Sequence, residues 1–165
     1  MSGPFLPSLP RDAVVLDLYK FDLELAKPLL RIQQHIMRGP SELTPAEREL
    51  IAATVSDLNA CRFCYGVHSR VAARFGAVDP GRLAPILAYV KKLTEAPSRM
   101  TRADADALYA AGWSERALFQ AVAVCALFNF FNRFVDGTGI DAGAVDFDKV
   151  AAGLHEIGYE GRLKL

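Results

Sequence analysis

The residues best suited to chemistry in this chain are Cys61, Cys64 and His68, in the run Cys61-Arg-Phe-Cys64-Tyr-Gly-Val-His68. On a helix turning about 100° per residue these positions fall within an arc of roughly 60°, so their functional groups project from one side. Cys61 and Cys64, at i and i+3, are close enough for a disulfide once the first turn relaxes slightly. Cys64 and His68, at i and i+4, are close enough for the imidazole to hold or take the thiol proton. With Asn59 as N-cap, both cysteines sit near the helix start, where the dipole favours a thiolate, and Arg62 adds positive charge. The pattern points to a redox dithiol. Spacing alone leaves two alternatives open: inert buried thiols beside a satisfied histidine, and zinc. Zinc would need a fourth ligand, and no second Cys-x-x-Cys or His pair offers one.

A carboxylate stands on the preceding segment. Thr44-Pro45-Ala46-Glu47 is a helix start, with Thr at the N-cap, Pro at the first position and Glu closing a capping box. The helix it opens, to about Leu58, is almost wholly apolar after its first turn and is expected to be buried on most sides. Glu49 shares a face with Ala52, Ala53 and Ser56, small residues that let the cysteine-bearing helix approach closely. A buried carboxylate there needs a hydrogen-bonded partner or keeps its proton, and either state suits a relay with His68. The alternative is that Glu49 simply reaches solvent.

Apolar spacing is helical nearly everywhere, with no convincing period of two, which predicts an all-α single-domain helical bundle over residues 1–165. A Pro-rich leader, 1–11, precedes a segment from about Asp12 to Met37 that should bend near Lys27-Pro28. Asn59 is read as ending one helix and capping the next, which stops at Gly76. Further helices are expected over about 80–93, from Thr101 to Gly112, from Ser114 to about Asp136, and over about 146–157.

Charge and composition narrow the partners. Nineteen basic and nineteen acidic residues cancel, which gives no electrostatic reason to expect nucleic acid or anionic lipid. The N-terminus has no secretory signal pattern. The most apolar stretch, 117–131, is interrupted by Gln120 and Asn129 and is shorter than the roughly 20 residues of a membrane span. The expected location is the cytosol, where three cysteines are better read as catalytic, metal-binding or buried than as a disulfide framework.

Glu49 followed by Cys61-x-x-Cys64-x-x-x-His68 resembles the active-site signature of the AhpD-like alkylhydroperoxidases of the carboxymuconolactone decarboxylase superfamily. Leu43-Thr44-Pro45-x-x-Arg48-Glu49 and Asn129-x-x-Asn132-Arg133 resemble its peroxidase-related subgroup, and the likeness runs from about Leu25 to Ile140. The resemblance implies the AhpD-like all-helical fold, with the cysteine pair at the N-terminus of a central helix. It also implies a homo-oligomer (trimer, hexamer or dimer) and reduction of organic or hydrogen peroxide. In that scheme Glu49 and His68 relay a proton from Cys64, which attacks the peroxide. The sulfenic acid then condenses with Cys61, and a thioredoxin-like or lipoyl-bearing thiol protein restores the dithiol. No metal, haem or flavin is implied. One departure stands out: the best-known peroxidases of this group carry His immediately before the second cysteine, where this chain has Phe63. Other readings of the same scaffold are a redox sensor, a general disulfide reductase and a decarboxylase-type lyase.

Elsewhere, Cys125 in an apolar run is expected to be a buried inert thiol. His35 and His155 are read as surface or capping residues, and Trp113 as a core plug. The run Phe128-Asn-Phe-Phe-Asn-Arg-Phe134 spreads aromatics over more than one helix face, which suggests a subunit interface or a central helix.

Overall fold

The computed structural model describes residues 3–140 and 142–161. Among these the regular structure is helical: α1 (Val15–Leu18), α2 (Leu23–Arg38), α3 (Pro45–Leu58), α4 (Arg62–Phe75), α5 (Pro80–Glu95), α6 (Arg102–Ala110), α7 (Glu115–Thr138) and α8 (Phe147–Ile157). Short 3₁₀ turns at Tyr19–Phe21, Pro97–Arg99 and Ala142–Ala144 link some of them. The all-α expectation therefore holds.

Local chemistry explains the boundaries. Thr44 caps α3 through its side chain and Glu47 returns to the Thr44 N–H, the reciprocal box expected from the sequence. Ser114 and Asp146 cap α7 and α8 by accepting from Ala117 and Lys149. The expected bend at Lys27-Pro28 is not where the chain turns. Asp22 breaks it instead, capping α2 through the Leu25 N–H at 2.9 Å, while Pro28 lies inside α2. Pro28, the sixth residue of α2, cannot donate to the Glu24 carbonyl, yet the helix continues through it to Arg38.

The turn between α3 and α4 also departs from expectation. Asn59 ends α3 but does not cap α4; Cys61 holds that N-cap, without a side-chain cap hydrogen bond. Between them Ala60 adopts φ 56°, a left-handed conformation that costs a non-glycine residue about 1–2 kcal/mol. This sharp reversal lays α4 back along α3, and α3 and α4 form the most extensive helix pair in the fold.

α7 packs against α2, α3, α4, α5 and α6, with Ala121, Val124, Phe128 and Val135 essentially without solvent contact. Its 24 residues are long and apolar enough, by length and composition alone, to cross a bilayer, so the expectation of too short a run does not survive. Here it serves as a core helix. α8 covers α4, and Gly66 makes that approach possible: a Cβ at this position would lie 2.7 Å from the Phe147 ring. At the end of α7, Gly139 takes φ +70° under the Phe5 ring, the left-handed cap that glycine accepts most readily.

Candidate functional site

Cys61 at the N-cap and Cys64 in the first turn of α4 are both free thiols, 1% and 2% exposed. The Cys64 thiol is pushed well above its ordinary value, first by its hydrogen bond with Cys61, then by burial; Asn132 pulls weakly the other way. The expected effect of the helix start, to favour a thiolate, is outweighed at Cys64. Desolvation acts on the whole charge of a buried thiolate, whereas the dipole supplies about half a charge. Cys64 therefore rests as a thiol and needs a base to become a nucleophile.

That base is within one turn. His68, also on α4 and buried, contacts Glu49 on α3 through Nδ1 at 2.6 Å from Oε2. Glu49 is completely buried, so its side chain does not reach solvent. Its other oxygen, Oε1, accepts from the Tyr159 hydroxyl at 3.0 Å and lies 2.6 Å from Arg38 Nη2 as an ion pair. Burial alone would raise the Glu49 carboxyl. The charge and hydrogen bond of His68, then those of Arg38, more than offset it, and the group is held below its usual value. The imidazole is further fixed edge-on against Phe128, centroids 4.4 Å apart. With Nδ1 committed to the carboxylate, Nε2 is the nitrogen left to exchange a proton.

Cys64 and His68 both line a cavity of about 50 Å³, Cys61 does not, and the remaining wall is mostly apolar, including Val67, Phe128, Phe131 and Leu154. Phe63 is part of this wall and stands near Phe147 at 6.3 Å. Where the resemblance would put a second imidazole, an apolar ring therefore stands in the cavity wall.

The motif on α7 builds the opposite side. Asn59 Nδ2 donates to Asn129 Oδ1 at 3.1 Å and to Asn132 Oδ1 at 2.8 Å. Asn132 Nδ2 donates to Ser56 Oγ at 3.0 Å, and Arg133 donates to the Asn129 carbonyl at 2.7 Å. These bonds tie the strained turn after α3 to α7 and so fix the start of α4 against the core. Asn129 and Asn132 order this side of the site, and Arg133, exposed on α7, holds only Asn129.

The four residues singled out in the sequence, Glu49, Cys61, Cys64 and His68, thus meet in one place. Sequence reasoning missed Arg38 and Tyr159. Arg38 lies at the end of α2, where a basic residue reads as a helix-end charge, and Tyr159 follows the last helix with no motif around it. Cys125 is buried beside Thr94 at 3.4 Å, and burial raises its thiol, consistent with an inert role. Trp113 is buried with Nε1 donating to the Arg82 carbonyl at 3.3 Å, a core position. Among the described residues no group of three or more His, Cys, Asp or Glu side chains is placed to hold a metal ion.

Comparison with known proteins agrees with this geometry. The model of the carboxymuconolactone decarboxylase family matches residues 24–83, a span that contains all four residues. The fold is similar to the crystal structure of an uncharacterized peroxidase-related protein from Silicibacter sp., with a TM-score of 0.70, 26% identity, and 79% of this chain and 77% of that one covered. The fold is AhpD-like. A second similar fold, an alkylhydroperoxidase AhpD core from Ralstonia eutropha that is also called an uncharacterized peroxidase-related protein, has a TM-score of 0.67 at 23% identity and covers 75% of this chain and 73% of its own. No curated protein matches the sequence. The AhpD-like resemblance read from the Glu, Cys, Cys, His spacing therefore stands.

Proposed function

We propose that this AhpD-like chain is a thiol-dependent peroxidase that reduces organic or hydrogen peroxide through the Cys61/Cys64 dithiol. The observation that carries this reading is the shared cavity wall. Cys64 and His68 face the same small space, and His68 is anchored from behind by a buried, ionised carboxylate. His68 takes the Cys64 proton as the sulfur attacks the peroxide, and Glu49 stabilises the imidazolium that forms. The O–O bond breaks, one oxygen stays on sulfur as a sulfenic acid, and the other leaves as alkoxide, which takes the proton from His68 to give alcohol or water. The Cys61 thiol then displaces water from the Cys64 sulfenic acid, and the disulfide forms. A dithiol donor, thioredoxin-like or lipoyl-bearing, returns two electrons and two protons.

Cys64 is assigned as attacker because it lines the cavity and Cys61 does not. The small apolar space suits a peroxide better than a protein disulfide, which favours peroxidase over general disulfide reductase. We also propose that the chain works as a homo-oligomer, supported by Phe119 at 73% and Phe130 at 44% exposure on α7, aromatic area that a partner copy could cover.

The test is peroxide consumption with tert-butyl or cumene hydroperoxide under a dithiol reductant, comparing wild type with Cys64→Ser, Cys61→Ser and Glu49→Gln and counting thiols before and after. Turnover lost in Cys64→Ser and impaired in Glu49→Gln supports the proposal. Oxidation without turnover would point to a sensor, and activity on another substrate retained in a variant carrying both Cys61→Ser and Cys64→Ser to a lyase.

A further inference from the structure

A buried carboxylate raises the proton affinity of a histidine paired with it, and the rise is larger when no other cation balances the carboxylate. An imidazolium cannot take a proton. A second cation on Glu49 makes His68 easier to keep neutral, and so available as the base for Cys64. The structure contains one. Arg38 reaches Oε1 from α2 at 2.6 Å, with its side chain 11% exposed, on the carboxylate oxygen that His68 does not use. Its guanidinium is held over the Phe75 ring at 4.6 Å and the Tyr159 ring at 5.1 Å, and Nη1 donates to the Met37 carbonyl at 3.0 Å.

We infer that Arg38 is a positioning residue of the relay: it is the resident counter-ion of Glu49, and so leaves His68 a neutral imidazole with its proton on Nδ1, able to accept the Cys64 proton at Nε2. This deepens the peroxidase reading and rests on it for its functional meaning. Arg38 stays charged near neutral pH, so the Arg38–Glu49 pair is already balanced before the reaction begins. When His68 is protonated in the attack step, its charge shares the carboxylate with Arg38 only until the leaving oxygen takes the proton. Tyr159 supports the same oxygen by donating its hydroxyl proton to Oε1. The other titratable or charged groups around the pair make their contacts away from the carboxylate, although the charge of Arg48 also bears on it. Arg48 on α3 donates to the Ile36 and Gly39 carbonyls, both at 2.9 Å. Glu47 on α3 pairs with Arg82 of α5. Asp136 on α7 bears on Cys64. Arg38 is the cation in contact with the free side of Glu49.

The experiment is nitrogen-15 NMR of the imidazole rings in the full-length reduced protein at pH 7.5, with the signal of His68 assigned by its loss in His68→Gln. Wild type is expected to show a neutral ring protonated on Nδ1, and Arg38→Met an imidazolium. Arg38→Lys, which keeps the charge, is expected to restore the neutral ring. Tyr159→Phe removes a single hydroxyl and should move the ring part of the way toward imidazolium; it serves as the second variant if Arg38→Met does not fold. An imidazolium in wild type, or a neutral ring in both Arg38→Met and Tyr159→Phe, overturns the inference. Turnover is read in parallel. The rising limb of the pH–rate profile should move to higher pH in Arg38→Met and return in Arg38→Lys, whereas a merely structural loss would lower the rate at every pH. If wild type has no peroxide turnover but the ring changes charge as described, the counter-ion assignment stands and the peroxidase reading fails. If turnover is present and the ring does not respond, the reverse holds.

Discussion

Replacing Glu49 by alanine removes one side chain and strands three. His68 Nδ1 at 2.6 Å, the Tyr159 hydroxyl at 3.0 Å and Arg38 Nη2 at 2.6 Å all converge on its two oxygens. The guanidinium is left without its counter-ion in a buried setting, a loss that typically costs about 3–5 kcal/mol. Glutamine keeps the shape and one acceptor but gives up the charge, and the hydrogen bonds lost to a charged group put its cost nearer 1.5–3 kcal/mol. At about 2–4 °C per kcal/mol for a chain of this size, alanine should lower Tm by roughly 6–20 °C and glutamine by roughly half that. The assay is urea and thermal unfolding at one fixed protein concentration, because an oligomer's stability depends on concentration. The pH dependence follows from the same contacts. The Glu49 carboxyl is lower in the folded chain than in the unfolded one. It therefore contributes stability that is fully present above the unfolded value of about 4.3 and is lost as pH falls through the folded value. Glu49→Gln should lack that part of the acid-side decline. A Glu49→Ala protein within about 0.5 kcal/mol of wild type, the range of surface substitutions, would refute the buried network.

Three further outcomes are expected. Alkylation of Cys64 by iodoacetamide should be slow at neutral pH and rise only well into the alkaline range, since its thiol is raised; fast labelling at pH 7, read by peptide mass spectrometry, would contradict the burial argument. Gly66→Ala places a Cβ 2.7 Å from the Phe147 ring, and overpacking of about 1–3 kcal/mol should exceed the helix-propensity gain of about 1 kcal/mol, so equilibrium unfolding should show a less stable protein. Cys125→Ser should leave peroxide turnover and the redox response of the other two thiols unchanged, as measured by thiol titration before and after oxidant.

Much of this arrangement is legible in the sequence because it rests on local chemistry. The capping box at Thr44 and the cap at Ser114 lie within a few residues of the helix starts they set, and the structure places those starts where the sequence does, whereas α7 runs past the expected stop at Gly137 to Thr138 and ends at Gly139. Cys64 and His68 share a helix face by spacing alone, and the small residues near Glu49 foretell the close approach of α4. What escapes local reading is decided by distant partners. The left-handed Ala60 moves the α4 N-cap from Asn59 to Cys61, and it is held by asparagines on α7. Arg38 and Tyr159 reach Glu49 from α2 and from beyond α8, and nothing near them in sequence announces it. The raised Cys64 thiol is likewise set by its hydrogen bond with Cys61 and by burial, which together outweigh a helix-start effect that spacing alone makes look decisive.

The most direct test of the central claim is a single-turnover experiment with cumene hydroperoxide on the reduced Cys61→Ser protein, trapping sulfenic acid with dimedone and locating it by mass spectrometry. The account predicts an adduct on Cys64, formed faster than in the same variant carrying His68→Gln. No adduct on Cys64, or peroxide reduction that continues in Cys64→Ser through Cys61, would contradict it.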